Sequence, residues 1–393
     1  MKVKHNILKI YLLKGFLWFM VAMPIIVLFF KKNGLSLFEV MILQSVYSLT
    51  VAITEIPSGY IADYFGRRKS IIFSTIFTFS GYLIFSNFAG FDYFIIAQIL
   101  VAIGGSLMSG ADSAIIYDTL LETENEKQYT KIEGKTYAIG NFSEAIAGLI
   151  GGVLATSSLL LPVQIQTTIL FFTIPIAFSL VEPTLHKNDK IEKGFYSILK
   201  VVKYSLFENL KLRWLIIYSS IMGVATLSAA WLAQPFFESL EIPIFYYGIL
   251  WAALNITAGI SSYSSHKTEE KHNTNNLLLK LGFFMSISFL LVYFLPNYFG
   301  LIFIFIIYYL RGIVTPILKN QININTTSKI RATVMSVRSF VLRISFAIVA
   351  PILGIMADNK SIISSYLFLS IIILIFSSIS VIGLKKNTTQ KLS

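Results

Sequence analysis

Long apolar runs recur along the chain, separated by short polar segments. A helix crossing a bilayer needs about 20 mainly apolar residues at 1.5 Å each. Windows of that length fall at 8–30, 38–61, 70–90, 93–119, 136–158, 163–181, 213–236, 244–264, 277–294, 297–321, 333–356 and 361–384. The pattern predicts an all-α membrane protein with twelve transmembrane helices. The first run follows Lys2, Lys4 and Lys9, as a signal peptide would, but it is too long and no small-residue cleavage site follows, so it reads as the first span. The longest polar interval, 182–212, separates two sets of six spans, 1–181 and 213–393. Within it, Phe195 to Tyr204 has the spacing of an amphipathic helix lying on the inner leaflet.

Composition agrees with the hydropathy pattern. Hydrophobic residues make up 55% and charged residues 13% of the chain, and the mean hydropathy is +0.72, which leaves too little polar surface for a soluble protein. The net charge of +12 would suit nucleic acid, but the basic residues sit in short segments between the apolar runs. With the N-terminus inside, one side collects Arg67, Arg68, Lys69, Lys127, Lys131, Lys135, Lys319, Arg331 and the basic linker, and the other receives only Lys31, Lys32 and Lys360. That asymmetry predicts both termini in the cytoplasm. There is no cysteine, which excludes disulfides and thiolate chemistry. A composition rich in Lys, Ile and Asn suggests an AT-rich bacterial genome, and hence a bacterial cytoplasmic membrane.

Between the second and third spans the chain reads Gly59-Tyr-Ile-Ala-Asp63-Tyr-Phe-Gly66-Arg67-Arg68-Lys69. Two glycines permit a tight turn, and an acid lies within reach of guanidinium groups. This stretch resembles the signature of the major facilitator superfamily of secondary transporters. The resemblance implies two six-helix bundles related by a pseudo-two-fold axis, alternating access, and a latch formed by Gly59, Asp63, Gly66, Arg67 and Arg68. Weak internal symmetry agrees: Ala147 to Gly152 in the fifth span matches Ala350 to Gly354 in the eleventh, and Ser265 to Lys271 is expected as a degenerate loop counterpart. Gly148, Gly151 and Gly152 resemble the antiporter glycine motif without its proline, and are expected to pack helices closely. The arginine that proton antiporters carry just before Gly104 and Gly105 is missing. The stretches Ser109 to Asp118 and Arg331 to Ser336 resemble a bacterial subgroup of the family.

Ionisable residues within apolar spans are costly and therefore candidates for function. In the first half these are Lys14, Glu55, Asp112 and Glu144, each about 9 to 12 Å from the cytoplasmic end of its span. Three carboxylates with one ammonium leave an acid without a basic partner, which suits a proton carrier, with Asp112 and Glu144 as the first candidates. The alternative is a fixed ion-pair network that holds the helices together. The second half is opposite in sign, with Arg311, Arg338 and Arg343 and no acid before Asp358. Arg311 and Arg343 are candidates for binding an anionic or zwitterionic substrate. Trp18, Trp231, Gln234 and Asn255 are further candidates for lining the pathway.

Enzymatic function lacks residues. The four histidines fall in predicted cytoplasmic segments, and neither a metal motif nor a nucleophile elbow occurs. A phosphate-binding loop is also missing, so direct drive by ATP is not expected. The chain is expected to be a monomeric permease without cofactor, moving a small molecule across the lipid bilayer. The leading expectation is efflux of an amphipathic compound in exchange for protons. The alternatives are proton-coupled import of a small anionic or zwitterionic metabolite and, more remotely, a transporter-like sensor.

Overall fold

In the computed structural model the apolar runs become helices, and no strand forms among the described residues, which are 3–183, 195–271, 273–327 and 330–389, without the side chains of 56, 59, 60, 63, 195–198 and 387–389. The helices are α1 (Asn6–Leu17), α2 (Ile26–Lys32), α3 (Leu37–Phe65), α4 (Arg67–Asn87), α5 (Phe91–Met108), α6 (Ala111–Glu122), α7 (Tyr129–Ala155) and α8 (Leu160–Ser179). After the linker helix α9 (Phe195–Lys203) come α10 (Leu210–Ser239), α11 (Phe245–Glu270), α12 (Thr274–Phe294), α13 (Tyr298–Ile324), α14 (Arg331–Asn359) and α15 (Ile362–Thr389). Among the described residues ten helical segments are long and apolar enough to cross a membrane.

Four expectations need correction. The first span is interrupted between α1 and α2: at Trp18–Ala22 the backbone closes on itself through Met20 N–H to Trp18 O (2.9 Å) and Val21 N–H to Phe19 O (3.1 Å). Pro24 lacks the N–H that would carry a helix through this point. The fourth span breaks at Ser109–Gly110, where Gly110 has φ +83° before α6 begins. The stretch expected as a loop after the eighth span is instead helical, since α11 runs to Glu270. It is held there by Glu269, which accepts hydrogen bonds from Asn320 (3.1 Å) and Gln321 (2.7 Å). Finally, Glu182, expected as the start of the linker, is bonded into the first half as described below.

The chain forms two compact units, Met1–Leu35 with Val46–Glu192 and Pro243–Ala252, and Ser36–Ser45 with Lys193–Ile242 and Ala253–Ser393. The first unit contains α4 against α5, where Gly104 lets α5 approach the Ser74 carbonyl and Ser74 Oγ donates to Gly104 O (2.6 Å). Its N-terminal helix is tied down by buried Asn6, which bonds Thr119 and both the N–H and the C=O of Val181. In the second unit α12 packs on α15 through Gly282 against Ser377, and Ser286 meets Ser370 at 3.1 Å. The start of α3 belongs to this second unit. Ser36 and Glu39 cap each other reciprocally, and Asp358 at the end of α14 accepts the N–H groups of Leu37 (3.1 Å) and Phe38 (2.8 Å).

Candidate functional site

The two interruptions in the first unit place opposite charges at helix ends that favour them. Lys14 lies in the last turn of α1 and Asp112 in the first turn of α6, so each sees the complementary end of a helix dipole. They pair at 3.2 Å, with side-chain exposures of 19% and 17%. The Lys14 ammonium also lies over the Trp18 ring, 5.0 Å from its centroid. The other Asp112 oxygen accepts the Ser113 N–H at 2.8 Å, and the Ser113 hydroxyl donates to Glu133 Oε1 at 2.6 Å. Glu55 and Glu144 are part-buried, and each is engaged with a neighbour. Among the described residues Lys14 and Asp112 bond each other and Asp112 bonds Ser113, which in turn reaches Glu133; no bond from Lys14 or Asp112 reaches Glu55 or Glu144.

Glu144 is nevertheless placed at the first interruption. Gly140, Glu144, Gly148 and Gly151 share one face of α7. Gly140 abuts the Trp18 ring, Gly148 abuts Pro24 and Gly151 lies against the Val21 carbonyl. Gly148 and Gly152 also approach Gly248 in the first turns of α11, with no room for a side chain at Gly152.

The signature turn is a one-residue break. Gly66, at φ +102°, separates α3 from α4. Glu182 straddles the exposed end of α4, accepting the N–H groups of Arg67 and Arg68 at 2.8 Å each. The Arg68 guanidinium donates to Phe178 O (2.7 Å), and the Arg67 guanidinium pairs with Asp118 at 2.5 Å. The side chain of Asp63, the sequence candidate for an arginine partner, lies outside the described residues, as does the burial of Gly59.

The second unit carries the arginines. Arg311 lies over the ring of buried Tyr308, 5.4 Å from its centroid. Arg338 Nε donates to Ser219 Oγ at 2.5 Å, and Lys319 is within electrostatic reach of Arg338. Arg343 Nε is buried with no acceptor. Among the described residues no carboxylate pairs with any of these three arginines. Gln234 is buried and Trp231 and Asn255 are part-buried; Gln234 and Asn255 are each engaged with a neighbour. Among the described residues no group of three His, Asp or Glu is placed to hold a metal ion.

The profile of the Major Facilitator Superfamily matches residues 10–330. The chain belongs to this superfamily. It is a transporter rather than an enzyme, a multi-pass membrane protein that works on a small molecule in a lipid bilayer. Similar solved structures include a mutant of the nucleoside transporter NupG, with a TM-score of 0.81 at 11% identity, covering 98% of this chain and 99% of that one. The peptide transporter POT in complex with sulfate gives a TM-score of 0.76 at 13% identity, covering 97% and 94%. A bacterial homologue of the human lysosomal transporter Spinster gives 0.76 at 14% identity, covering 98% and 97%. Among curated proteins none matches the chain in sequence.

Three participants escaped the sequence reading. Glu133 lies only four residues into α7 and looks like a solvated terminus; Glu182 is separated from its partners by more than a hundred residues. Asp118 carries no motif that ties it to Arg67. Sequence signals existed for the two breaks, the Ser109–Gly110 pair before α6 and Pro24 after Trp18–Ala22.

Proposed function

We propose that this member of the superfamily is a proton-coupled permease of a bacterial cytoplasmic membrane, with both termini in the cytoplasm, whose cargo carries an anionic or zwitterionic group. The carrying observation is Arg343, whose Nε is buried without an acceptor in a unit where no described carboxylate pairs with Arg311, Arg338 or Arg343. Arg343 is part-buried, and its desolvated Nε without an acceptor is costly; a bound carboxylate or phosphate satisfies a guanidinium with bidentate geometry. Trp18, Trp231, Gln234 and Asn255 are the neutral residues proposed to shape the pathway. Lys14 and Asp112, with Glu55 and Glu144, are proposed to respond to the coupling proton, and no cofactor is required. The turn of Gly59, Asp63, Gly66, Arg67 and Arg68 is proposed as the conformational latch, acting within a monomer.

Efflux of an amphipathic compound in exchange for protons is the second reading. It is favoured by the tight glycine face of α7 at Gly148, Gly151 and Gly152, which resembles that of exporters.

The test is lumenal pH in inside-out vesicles with an imposed acid-inside gradient, recorded while cationic, neutral and anionic compounds are added. A response confined to anions or zwitterions, and lost in Arg343→Gln, supports the first reading. Collapse by lipophilic cations, retained in Arg343→Gln and lost in Asp112→Asn, supports the second.

A further inference from the structure

We propose that the junction between the linker and α10 is a docking surface for anionic phospholipid headgroups of the adjoining leaflet, centred on Phe207, Leu210, Lys203, Lys211 and Arg213. This inference is independent of the cargo. The amphipathic pattern read from the sequence stops at Tyr204, and α9 ends at Lys203. One π-helical turn, Tyr204–Glu208, follows, and Asn209 then caps α10 by accepting the Leu212 N–H at 3.1 Å. Beyond the expected segment stands Phe207, 69% exposed, with Leu210 at 38% and Leu199, in the preceding helix, at 48%.

What covers these apolar side chains follows from their place in the chain. From Leu210 onward α10 is long and apolar enough to cross the membrane. Phe207 lies three residues earlier, within about 11 Å of that start even in extended chain, so it stands at headgroup depth. In the first turns of α10 Leu212, Leu215 and Ile216 are buried, and Leu210, Arg213 and Trp214 occupy the opposite face. The Trp214 ring packs on Gly383 of α15, just ahead of Lys385 and Lys386. An indole ringed by basic residues is the side-chain pattern of a membrane interface.

Charge selects the lipid. Between Leu199 and Arg213 the cations are Lys200, Lys203, Lys211 and Arg213, and the one acid is Glu208, which Lys203 meets at 3.4 Å. Among the described residues no carboxylate pairs with Lys200, Lys211 or Arg213. The Arg213 guanidinium lies over the Trp214 ring, 5.2 Å from its centroid, and its Nε is buried without an acceptor. A headgroup phosphate supplies that acceptor in the geometry a guanidinium favours. Exposed apolar side chains among unpaired cations bind a leaflet through burial and attraction together, and the attraction requires net negative lipid.

The chain has no cysteine, so Phe207→Cys offers a single thiol for a polarity-sensitive fluorophore, at a side chain exposed enough to be replaced without unfolding. The experiment reads its emission in the full chain, reconstituted in vesicles of phosphatidylcholine alone or mixed with phosphatidylglycerol, with a nitroxide near the top of some acyl chains. The expected result is a blue shift and nitroxide quenching in the mixed vesicles. Both fall in phosphatidylcholine alone, at high salt, and in the variant that adds Lys200→Gln, Lys203→Gln and Lys211→Gln. Water-like emission in both vesicles overturns the proposal, as does equal quenching in both or an unchanged signal in the lysine variant. A second measurement needs no label: in native mass spectrometry the wild-type chain should retain phosphatidylglycerol over phosphatidylcholine, and Arg213→Gln should lose much of that preference. No preference in the wild type, or an undiminished one in Arg213→Gln, overturns the headgroup assignment.

Discussion

Glu182 accepts the backbone N–H of Arg67 at 2.8 Å, and its second oxygen takes that of Arg68 at the same distance. A carboxylate reaching across more than a hundred residues thus closes the helix end that the signature turn opens. Glu182→Ala leaves two donors and the positive end of α4 without an acceptor, at a cost of about 1 to 2 kcal/mol. Thermal unfolding in detergent should show Glu182→Ala well below wild type and Glu182→Gln between them; equal melting of all three would rule out the cap as a stabilising contact.

Gly66 cannot be replaced cheaply. Its φ of +102° is strained for any other residue, and an added Cβ would stand 3.0 Å from the Glu182 carboxylate. Gly66→Ala is expected to destabilise by about 1 to 3 kcal/mol, and shortening the neighbour in Gly66→Ala with Glu182→Ala should recover none of the backbone part. Additive losses in the double variant would mean that crowding contributes nothing.

The pair of Arg67 and Asp118 is mostly buried, with exposures of 15% and 11%. Removing either partner strands a charge, at a cost of about 3 to 5 kcal/mol. Arg67→Gln and Asp118→Asn should each lower the melting temperature, while the double variant loses less than the sum. A coupling energy near zero in that cycle would mean the contact is not an energetic pair.

Glycines of α7 divide by environment. At Gly151 a Cβ would strike the Val21 backbone carbonyl, whereas at Gly134 nothing lies within 4 Å. Gly151→Ala should therefore cost about 1 to 3 kcal/mol from overpacking, and Gly134→Ala should gain about 0.5 to 1 kcal/mol from reduced backbone freedom. Circular dichroism melts of the two variants would have opposite signs; a neutral Gly151→Ala would show that the interrupted segment yields.

In the second unit, Asp358→Ala removes two acceptors from the start of α3 but leaves the reciprocal Ser36 and Glu39 cap in place. The expected loss is about 1 kcal/mol, enlarged when Ser36→Ala is combined with it. Amide hydrogen exchange at Leu37 and Phe38 reads this directly, and unchanged protection in Asp358→Ala would contradict the bond.

Hydropathy located the helices because burial in lipid demands long uninterrupted apolar runs, and α4, α8, α12 and α15 follow their windows closely. The same averaging hid the interruption at Trp18–Ala22, since those five residues are as apolar as their neighbours and Pro24 alone marks the change. Lys14 and Asp112 were recognisable as misplaced charges, but their pairing was not, since they lie 98 positions apart in the chain. Glu144 was a candidate on polarity alone, and its place on the α7 face whose glycines meet Trp18, Val21 and Pro24 came from the structure.

The sequence by itself determined the class of molecule, the positions of most spans and the superfamily, because each depends on local hydropathy or on one contiguous motif. Tertiary structure decided which charges are partners: Lys14 with Asp112, Arg67 with Asp118, Glu182 with the end of α4, and Arg343 with none among the described residues. Pairing depends on where helices distant in the chain come together, and in a low-dielectric interior that placement fixes which groups stay ionised and which must borrow a proton or a ligand.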